Sequence, residues 1–482
     1  MNGSRLPQIV LRILSAPQVV FLVAFIARLR VLSQLLPAQA WTGFYRYNEP
    51  SHIAWALVSG FGYSAPWPNT PIAATAQQPP LYPFLLAAIF KFAGAYSYLS
   101  LCIAVGLNAA FSALTAVIIL RIAKRDFGIA TAILAAWVWA YWQYEAVVSI
   151  RLWESSLSAL LLMLGMLCVR ELAESLQAWR WLLFGALAGI AALNNTTLLA
   201  VFPFFWLLLW LKYRRRGWSC YKQLLASSAV CVLILIPWTI RNYAAFHRIM
   251  PLRDNFGLEL WVGLELEDDS WNAPIFIKDF PLRDPTEYNQ RGEIAFMETK
   301  RQMAFNFIRQ HPREYARMVI IRCGKFWSHP AGTPWPFISL AAWLGLCLAL
   351  WRKGLDAAVY AVPLIVFPPV YYITHTFPTY RHPIEPVIII LAAYAIASVA
   401  ESSAVRLQRS LASRTMATNH LIGPRAEHPN DLSSRARRGI SVFLARQQEL
   451  RFLALRGMIF CKICCSKEWV KCQNRDCCKV ED

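Results

Sequence analysis

Residues 45–83 read YRYNEPSHIAWALVSGFGYSAPWPNTPIAATAQQPPLYP and separate the first long apolar segment from the second. An acid, Glu49, follows Asn48 and precedes Pro50. Ile53, Ala54, Leu57 and Val58 then recur at helical spacing, which predicts a short amphipathic helix. A Pro-rich return through Gln77, Gln78, Pro79 and Pro80 closes the stretch. Such a loop needs a frame, and the flanking sequence supplies one.

That frame is a membrane bundle. Of the 482 residues 57% are hydrophobic and 16% charged, with a mean hydropathy of +0.38. Apolar runs recur near the ~20 residues that cross a bilayer. The fold class expected is an all-α polytopic membrane protein with about ten transmembrane helices and two large outer-side loops carrying short helices. The first span is read at Ile9–Ala27, as an uncleaved signal anchor. The others are read near Leu99–Leu120, Ile129–Val147, Trp153–Cys168, Leu182–Leu193, Leu198–Leu211, Leu224–Ile240, Phe337–Leu350, Ala357–Tyr372 and Pro386–Val399.

The net charge of +20 does not indicate nucleic acid. Lys and Arg collect in short clusters, as at Arg121, Lys124 and Arg125, or Lys212 and Arg214 to Arg216, at alternate ends of the apolar runs. The positive-inside rule makes those ends cytoplasmic and puts both termini there. Residues 1–400 form the membrane domain, with outer loops at 28–98 and 241–335. The second loop holds Asp268, Asp269 and an amphipathic stretch from Thr286 to Phe326, and its length predicts a small folded element. Residues 401–482 form a basic cytoplasmic tail. Half of the 12 cysteines lie in it, at Cys461, Cys464, Cys465, Cys472, Cys477 and Cys478. Irregular spacing and the lack of a nearby His favour a disordered tail over a zinc site. Arg435, Arg437 and Arg438 suit anionic lipid, and residues 440–460 either lie on the membrane as a helix or stay disordered.

Four clusters can carry chemistry. Glu49 is either a base beside a surface helix or an N-terminal acid that complements the helix dipole, worth ~0.3–1 kcal/mol. Arg151 and Glu154, three apart, are expected on one helix face at the outer mouth of a span. A charged pair there is costly and marks a site more often than an anchor. Glu145 is read as a weaker candidate facing the outer interface. Arg241 and Asn242 end the seventh span, and Arg241 either forks a phosphate or snorkels to headgroups; Arg253, Asn255 and Glu259 follow on the same loop. Tyr380, Arg381, His382 and Glu385 are packed between prolines in HTFPTYRHPIEP, as a headgroup-binding rim or a rigid cap. No P-loop, dinucleotide fingerprint or H-E-x-x-H occurs in a plausible setting, which removes ATP-driven transport and zinc proteolysis as leading readings.

With those clusters in this order, residues 10–400 resemble the GT-C superfamily of polyprenyl-phosphate-sugar-dependent glycosyltransferases, in the branch of the protein O-mannosyltransferases and lipid A aminoarabinose transferases. The family's first outer loop carries an acidic pair, a surface helix and a Pro-rich segment; the matching residues are Asn48 and Glu49, then Gln77 to Tyr82. Its second acidic position matches Arg151 and Glu154. Asn48 stands where the family shows its leading acid, so the base role passes to Glu49, because an amide accepts no proton at neutral pH.

The resemblance implies an inverting membrane glycosyltransferase that attacks the anomeric carbon of a lipid-linked sugar phosphate. Glu49 and Glu154 are its expected catalytic residues. Asn48, His52, Gln78, Tyr82, Arg151, Arg241, Asn242, Tyr380, Arg381, His382 and Glu385 are expected to bind substrate, with Arg241 and Arg381 clamping the departing phosphate. The partners implied are a polyprenyl-phosphate-linked sugar, membrane lipids and an acceptor glycan, lipid or protein, with no nucleic acid. No cofactor is certain: some relatives bind a divalent metal ion near these acids, and Glu49 and Glu154 could hold one, but two carboxylates do not establish a metal site. The implied location is a bacterial inner membrane with the active site on the periplasmic side. The rival readings are a lipid-linked-sugar transporter or flippase and a non-catalytic binding protein.

Overall fold

The computed structural model describes residues 5–35, 48–266, 280–281, 284–328 and 334–421. The tail beyond 421, with its six cysteines and Arg435, Arg437 and Arg438, lies outside the described residues, as do Tyr45, Asp268 and Asp269. By its contacts the chain divides after Glu401, and the unit Met1–Glu401 holds the membrane bundle and both outer loops. Regular structure among the described residues is helical, apart from one isolated bridge between Ser64 and Ala74.

Six helices among the described residues are long and apolar enough to cross a membrane. They become seven if Gln8–Leu14 and Pro17–Val31, bent by 57° at their break, count as one span. The expected ten is not reached, for local reasons. The segments read at 129–147 and 182–193 fold as shorter apolar helices, Ile129–Tyr141 and Ala178–Asn194. The one read at 357–372 is broken between Ala358–Val366 and Pro369–Ile373, where Pro368 caps the second piece. The Pro-rich return also leads into an apolar helix, Leu81–Ala93, within what the sequence pattern assigns to the loop.

The core of this unit runs through the helices Tyr98–Phe127, Ile129–Tyr141, Ser155–Leu172, Thr196–Arg215 and the start of Glu385–Leu421. Helix Tyr221–Phe246 stays mostly uncovered, showing Leu225, Val232, Leu233, Ile236 and Ile240, the surface that hydrocarbon would solvate. It packs on Ala178–Asn194 where a Cβ on Gly185 would overlap the Ser227 carbonyl. The clustered cations sit at helix C-termini, where they complement the dipoles. There Arg170 pairs with Asp126, which also accepts from Tyr360 Oη at 2.5 Å, and Lys212 pairs with Asp356 at 2.7 Å. Glu154 precedes the first residue of the helix Ser155–Leu172, which carries Arg170 in its last turn, so about 25 Å of helix separates the basic end from the candidate acid.

The second loop folds as expected, into helices Phe256–Glu265, Thr286–Arg291, Glu293–Gln310 and Pro312–Ser328. Their own small core comprises Leu258, Trp261, Tyr288, Phe296 and Met297, and it takes in Trp67 from the first loop.

Candidate functional site

Asn48 caps the helix Glu49–Val58. Its side-chain oxygen accepts from Ser51 N at 3.0 Å and Ser51 Oγ at 2.9 Å, satisfying donors the helix leaves open. Its amide nitrogen donates to the Leu152 carbonyl at 2.5 Å. Asn48 is therefore fully engaged within the protein, as a bracket between the first loop and the turn before Glu154. That turn is not helical: the helix begins at Ser155, and residues 151–154 form a bend held by Asn108, which donates to Arg151 O at 2.6 Å and to Tyr82 Oη at 2.8 Å. The expected common helix face of Arg151 and Glu154 is thus absent. No ion pair joins them among the described residues, and burial lowers the pKa of the Arg151 guanidinium.

Glu49 lies in the first turn with each oxygen occupied, Oε1 by Trp67 Nε1 at 2.9 Å and Oε2 by Gln78 Nε2 at 2.5 Å. Burial pushes its carboxyl up. The Trp67 bond opposes that, the charge of Glu259 adds to it, and Gln78 and Arg253 oppose it. Glu154 is buried, and desolvation raises it to about 7 against its backbone hydrogen bond and Arg253, with Glu49 adding to the rise. The two acids therefore act on each other, although they come from distant segments. The cation that acts on both is Arg253. It pairs with Glu259 at 3.2 Å, and its buried Nε has no hydrogen-bond partner.

Around this centre runs a chain of contacts. Asn194 donates to Glu154 O at 3.3 Å, and nearby Thr197 Oγ1 meets Tyr371 Oη at 3.3 Å. Tyr371 stacks on Tyr380 with centroids 4.9 Å apart. Tyr380 Oη lies 3.0 Å from His375 Nε2, and His375 Nδ1 lies 3.4 Å from Glu259 Oε2. The close approach of Gly263 to the Thr374 carbonyl, where a Cβ would overlap, sets His375 beside the helix that carries Glu259.

The Pro-rich return is fixed from outside. Glu293 accepts from Ala76 N at 2.6 Å, Thr75 Oγ1 at 2.5 Å and Tyr288 Oη at 2.9 Å. Arg241 donates to the carbonyls of Thr75 at 2.7 Å and Tyr63 at 2.6 Å, with its guanidinium over the Tyr63 and Trp238 rings. Asn242 donates to Met250 O and Leu252 O. These two residues hold the loop in place, a different set of partners from the phosphate expected for Arg241.

The other expected residues fall into separate groups. Tyr380 and Gln78 join the Glu49–Arg253 assembly. His52 reaches Tyr96 Oη at 3.1 Å, on the packed side of its helix, and Tyr82 serves the bend through Asn108. Arg381, His382 and Glu385 form a separate cluster inside the bundle. Arg381 pairs with Glu385, donates to Ser339 Oγ at 2.8 Å and lies over Trp335 at 4.4 Å. His382 Nδ1 meets Glu145 Oε2 at 2.5 Å, with both side chains fully buried. Glu145 therefore faces inward, not to the interface, because a buried imidazole offers it a partner.

Pattern reading misses Trp67, Glu293, His375 and Tyr371. His375 opens the quoted HTFPTYRHP stretch, and a Trp between two prolines is the available signal for Trp67. Arg253 and Glu259 are legible as residues of the right loop but fall outside the expected set.

Both Glu49 oxygens already accept N–H groups, and among the described residues no group of three or more His, Cys, Asp or Glu is placed to hold a metal.

Comparison with known proteins agrees with this architecture. Residues 77–240 match the family model described as dolichyl-phosphate-mannose-protein mannosyltransferase. No curated protein matches the chain. Among solved structures, the Archaeoglobus fulgidus oligosaccharyltransferase tethered to an acceptor peptide superposes at TM-score 0.51 with 13% identity, over 82% of this chain and 50% of that one. The archaeal oligosaccharyltransferase AglB from Archaeoglobus fulgidus, in complex with an inhibitory peptide and a dolichol-phosphate, gives 0.50 and 14%, over 89% and 54%. ArnT from Cupriavidus metallidurans bound to undecaprenyl phosphate gives 0.42 and 14%, over 84% and 66%. The chain thus spans about half to two-thirds of the length of these structures. The chain is an integral, multi-pass membrane protein with the GT-C fold, and its residues 77–240 carry the dolichyl-phosphate-mannose-protein mannosyltransferase match.

Proposed function

We propose that this protein is an inverting glycosyltransferase that moves a sugar from a polyprenyl-phosphate donor to a hydroxyl or amine of a lipid, glycan or protein acceptor at the outer face of the membrane. The observation that carries the reading is that Glu49 and the buried Glu154 influence each other electrostatically and both feel the charge of Arg253. Transfer needs carboxylates to hold the acceptor and steer its proton, and a cation for the phosphate that departs with the bonding electron pair. Arg253, with its Nε unsatisfied, has the free donor for a phosphate oxygen. Glu154, near 7, is tuned close to neutral pH, where a general base works best. Glu49, held by Trp67 and Gln78, orients the acceptor and shares the base role. The family match and the dolichol-phosphate complex of AglB support a lipid-phosphate donor.

A site at the end of the bundle away from the clustered cations supports an outer-face, periplasmic position. The test is transfer from radiolabelled polyprenyl-phosphate sugars by membranes carrying wild type, Glu49→Gln or Glu154→Gln. Glu49→Gln, which also loses the acceptor's orientation, is expected to lower transfer about 10²–10⁴-fold, and Glu154→Gln to lower it by a smaller factor. Unchanged transfer in both would remove the acids from the mechanism.

A further inference from the structure

We infer that Glu259, His375 and Tyr380 form a second proton-accepting device at this site, in which the Tyr380 hydroxyl takes the acceptor's proton while passing its own to His375. The inference rests on the transferase reading above and concerns where the proton goes.

The geometry orders the three groups in one line. Glu259 Oε2 lies 3.4 Å from His375 Nδ1, and His375 Nε2 lies 3.0 Å from Tyr380 Oη. The carboxylate side of the ring favours the tautomer with hydrogen on Nδ1, which leaves Nε2 as an acceptor for the Tyr380 O–H. The phenolic oxygen then keeps its lone pairs for an incoming O–H. His375 is sealed, whereas Tyr380 and Glu259 at the two ends of the line are only half-buried, so the phenol can meet an incoming group without exposing the ring. Tyr380 is stacked on Tyr371, whose hydroxyl meets Thr197 beside the Asn194 that holds Glu154 O. The line thus starts at Arg253's partner and ends at the rim of Glu154.

The step balances. The acceptor oxygen bonds to the anomeric carbon as the bond from that carbon to the phosphate oxygen breaks, and the lipid phosphate leaves with the electron pair. The acceptor proton moves to Tyr380 Oη as the Tyr380 proton moves to His375 Nε2. Glu259 stabilises the imidazolium until its proton returns through Tyr380 to the departing phosphate monoester.

The device has a purpose that the carboxylates cannot serve. Below about pH 7 Glu154 takes up a proton and ceases to accept one. His375 stays neutral to lower pH than an ordinary imidazole, because burial disfavours its charged form. Glu259 works against that, and Arg322 and Arg253 reinforce it. Tyr380 completes the titratable groups that face the ring.

The pH profile of single-turnover transfer provides the test. Wild type is expected to keep its rate from pH 8 to pH 5.5. His375→Gln and Tyr380→Phe are expected to fall about tenfold per pH unit below 7, roughly 30-fold by pH 5.5, as the remaining base titrates. Tyr380→Phe retains His375 and the aromatic stack, which separates relay from packing. Profiles of both variants parallel to wild type overturn the relay, and so does a wild-type profile for Tyr380→Phe alone. Absence of wild-type transfer instead overturns the transferase reading and the relay with it.

Discussion

Asn48 donates its side-chain amide to the Leu152 carbonyl, tying the residue before Glu49 to the residue two before Glu154. The same side chain accepts from Ser51, so both ends of the amide are used. An aspartate could accept from Ser51 but would set a carboxylate oxygen against the Leu152 carbonyl. Asn48→Asp, although it restores the family's acidic pair, is expected to lose activity. Its cost is about 1–3 kcal/mol, the range for an unsatisfied buried polar group. A lower melting temperature in detergent together with reduced transfer is the outcome to look for, and increased transfer would contradict the bracket role.

Arg253 is expected to be sensitive in both charge and shape. Arg253→Lys keeps the charge and loses the planar fork, whereas Arg253→Ala also leaves Glu259 without its cation. Loss of a charge-assisted contact worth about 1.5–3 kcal/mol predicts a roughly 10- to 150-fold weaker donor affinity. Competition of unlabelled polyprenyl phosphate against a photoreactive donor measures it.

Glu154 gives the protein a pH-dependent stability of defined sign. Its folded pKa, about 7, is raised from 4.5. A raised acid adds stability that is fully present below the unfolded pKa and is lost as pH climbs through the folded one. The window is therefore between about pH 4.5 and 7. Melting temperature should fall across that window in wild type and fall less in Glu154→Gln. At pH 8 the variant should be the more stable, by at most a few kcal/mol, while transferring less sugar. A variant less stable than wild type at pH 8 would show that the charge is not strained.

The buried pairs Glu145–His382 and Arg381–Glu385 predict a different phenotype. Removing one partner of a buried pair leaves its neighbour uncompensated, at about 3–5 kcal/mol. Glu145→Ala and Arg381→Ala should reduce folded protein sharply while the fraction that folds keeps its donor affinity. An increase in KM without loss of folded protein would return Arg381 to the phosphate clamp.

The frame was legible because spanning a bilayer leaves a chain few choices: apolar length, flanking cations and helical backbone all follow from one solvent. Span number was less legible, since helix breaks at Pro368 and shortened segments such as Ile129–Tyr141 depend on neighbours that cover their ends. Glu49 and Glu154 could be singled out because acids at span mouths are expensive. Their cation could not be chosen among Arg151, Arg241, Arg253 and Arg381. All four look alike in sequence, and what separates them is how many carbonyls each finds once folded. Arg241 finds two from the first loop and Arg381 finds Phe326 and Trp327, whereas among the described residues Arg253 pairs with Glu259 and finds no carbonyl.

The clasp between Glu293 and Ala76 also has a consequence in time. The two residues are 217 positions apart, so during synthesis at about 5–20 residues per second the Pro-rich return waits roughly 10–40 s for its carboxylate. His375 and Tyr380 arrive later still. A half-translated chain already threaded into the membrane therefore carries Glu49, Trp67 and Gln78 without the clasp that fixes the return beside them. The order of synthesis itself delays any chemistry until the last outer segment has emerged.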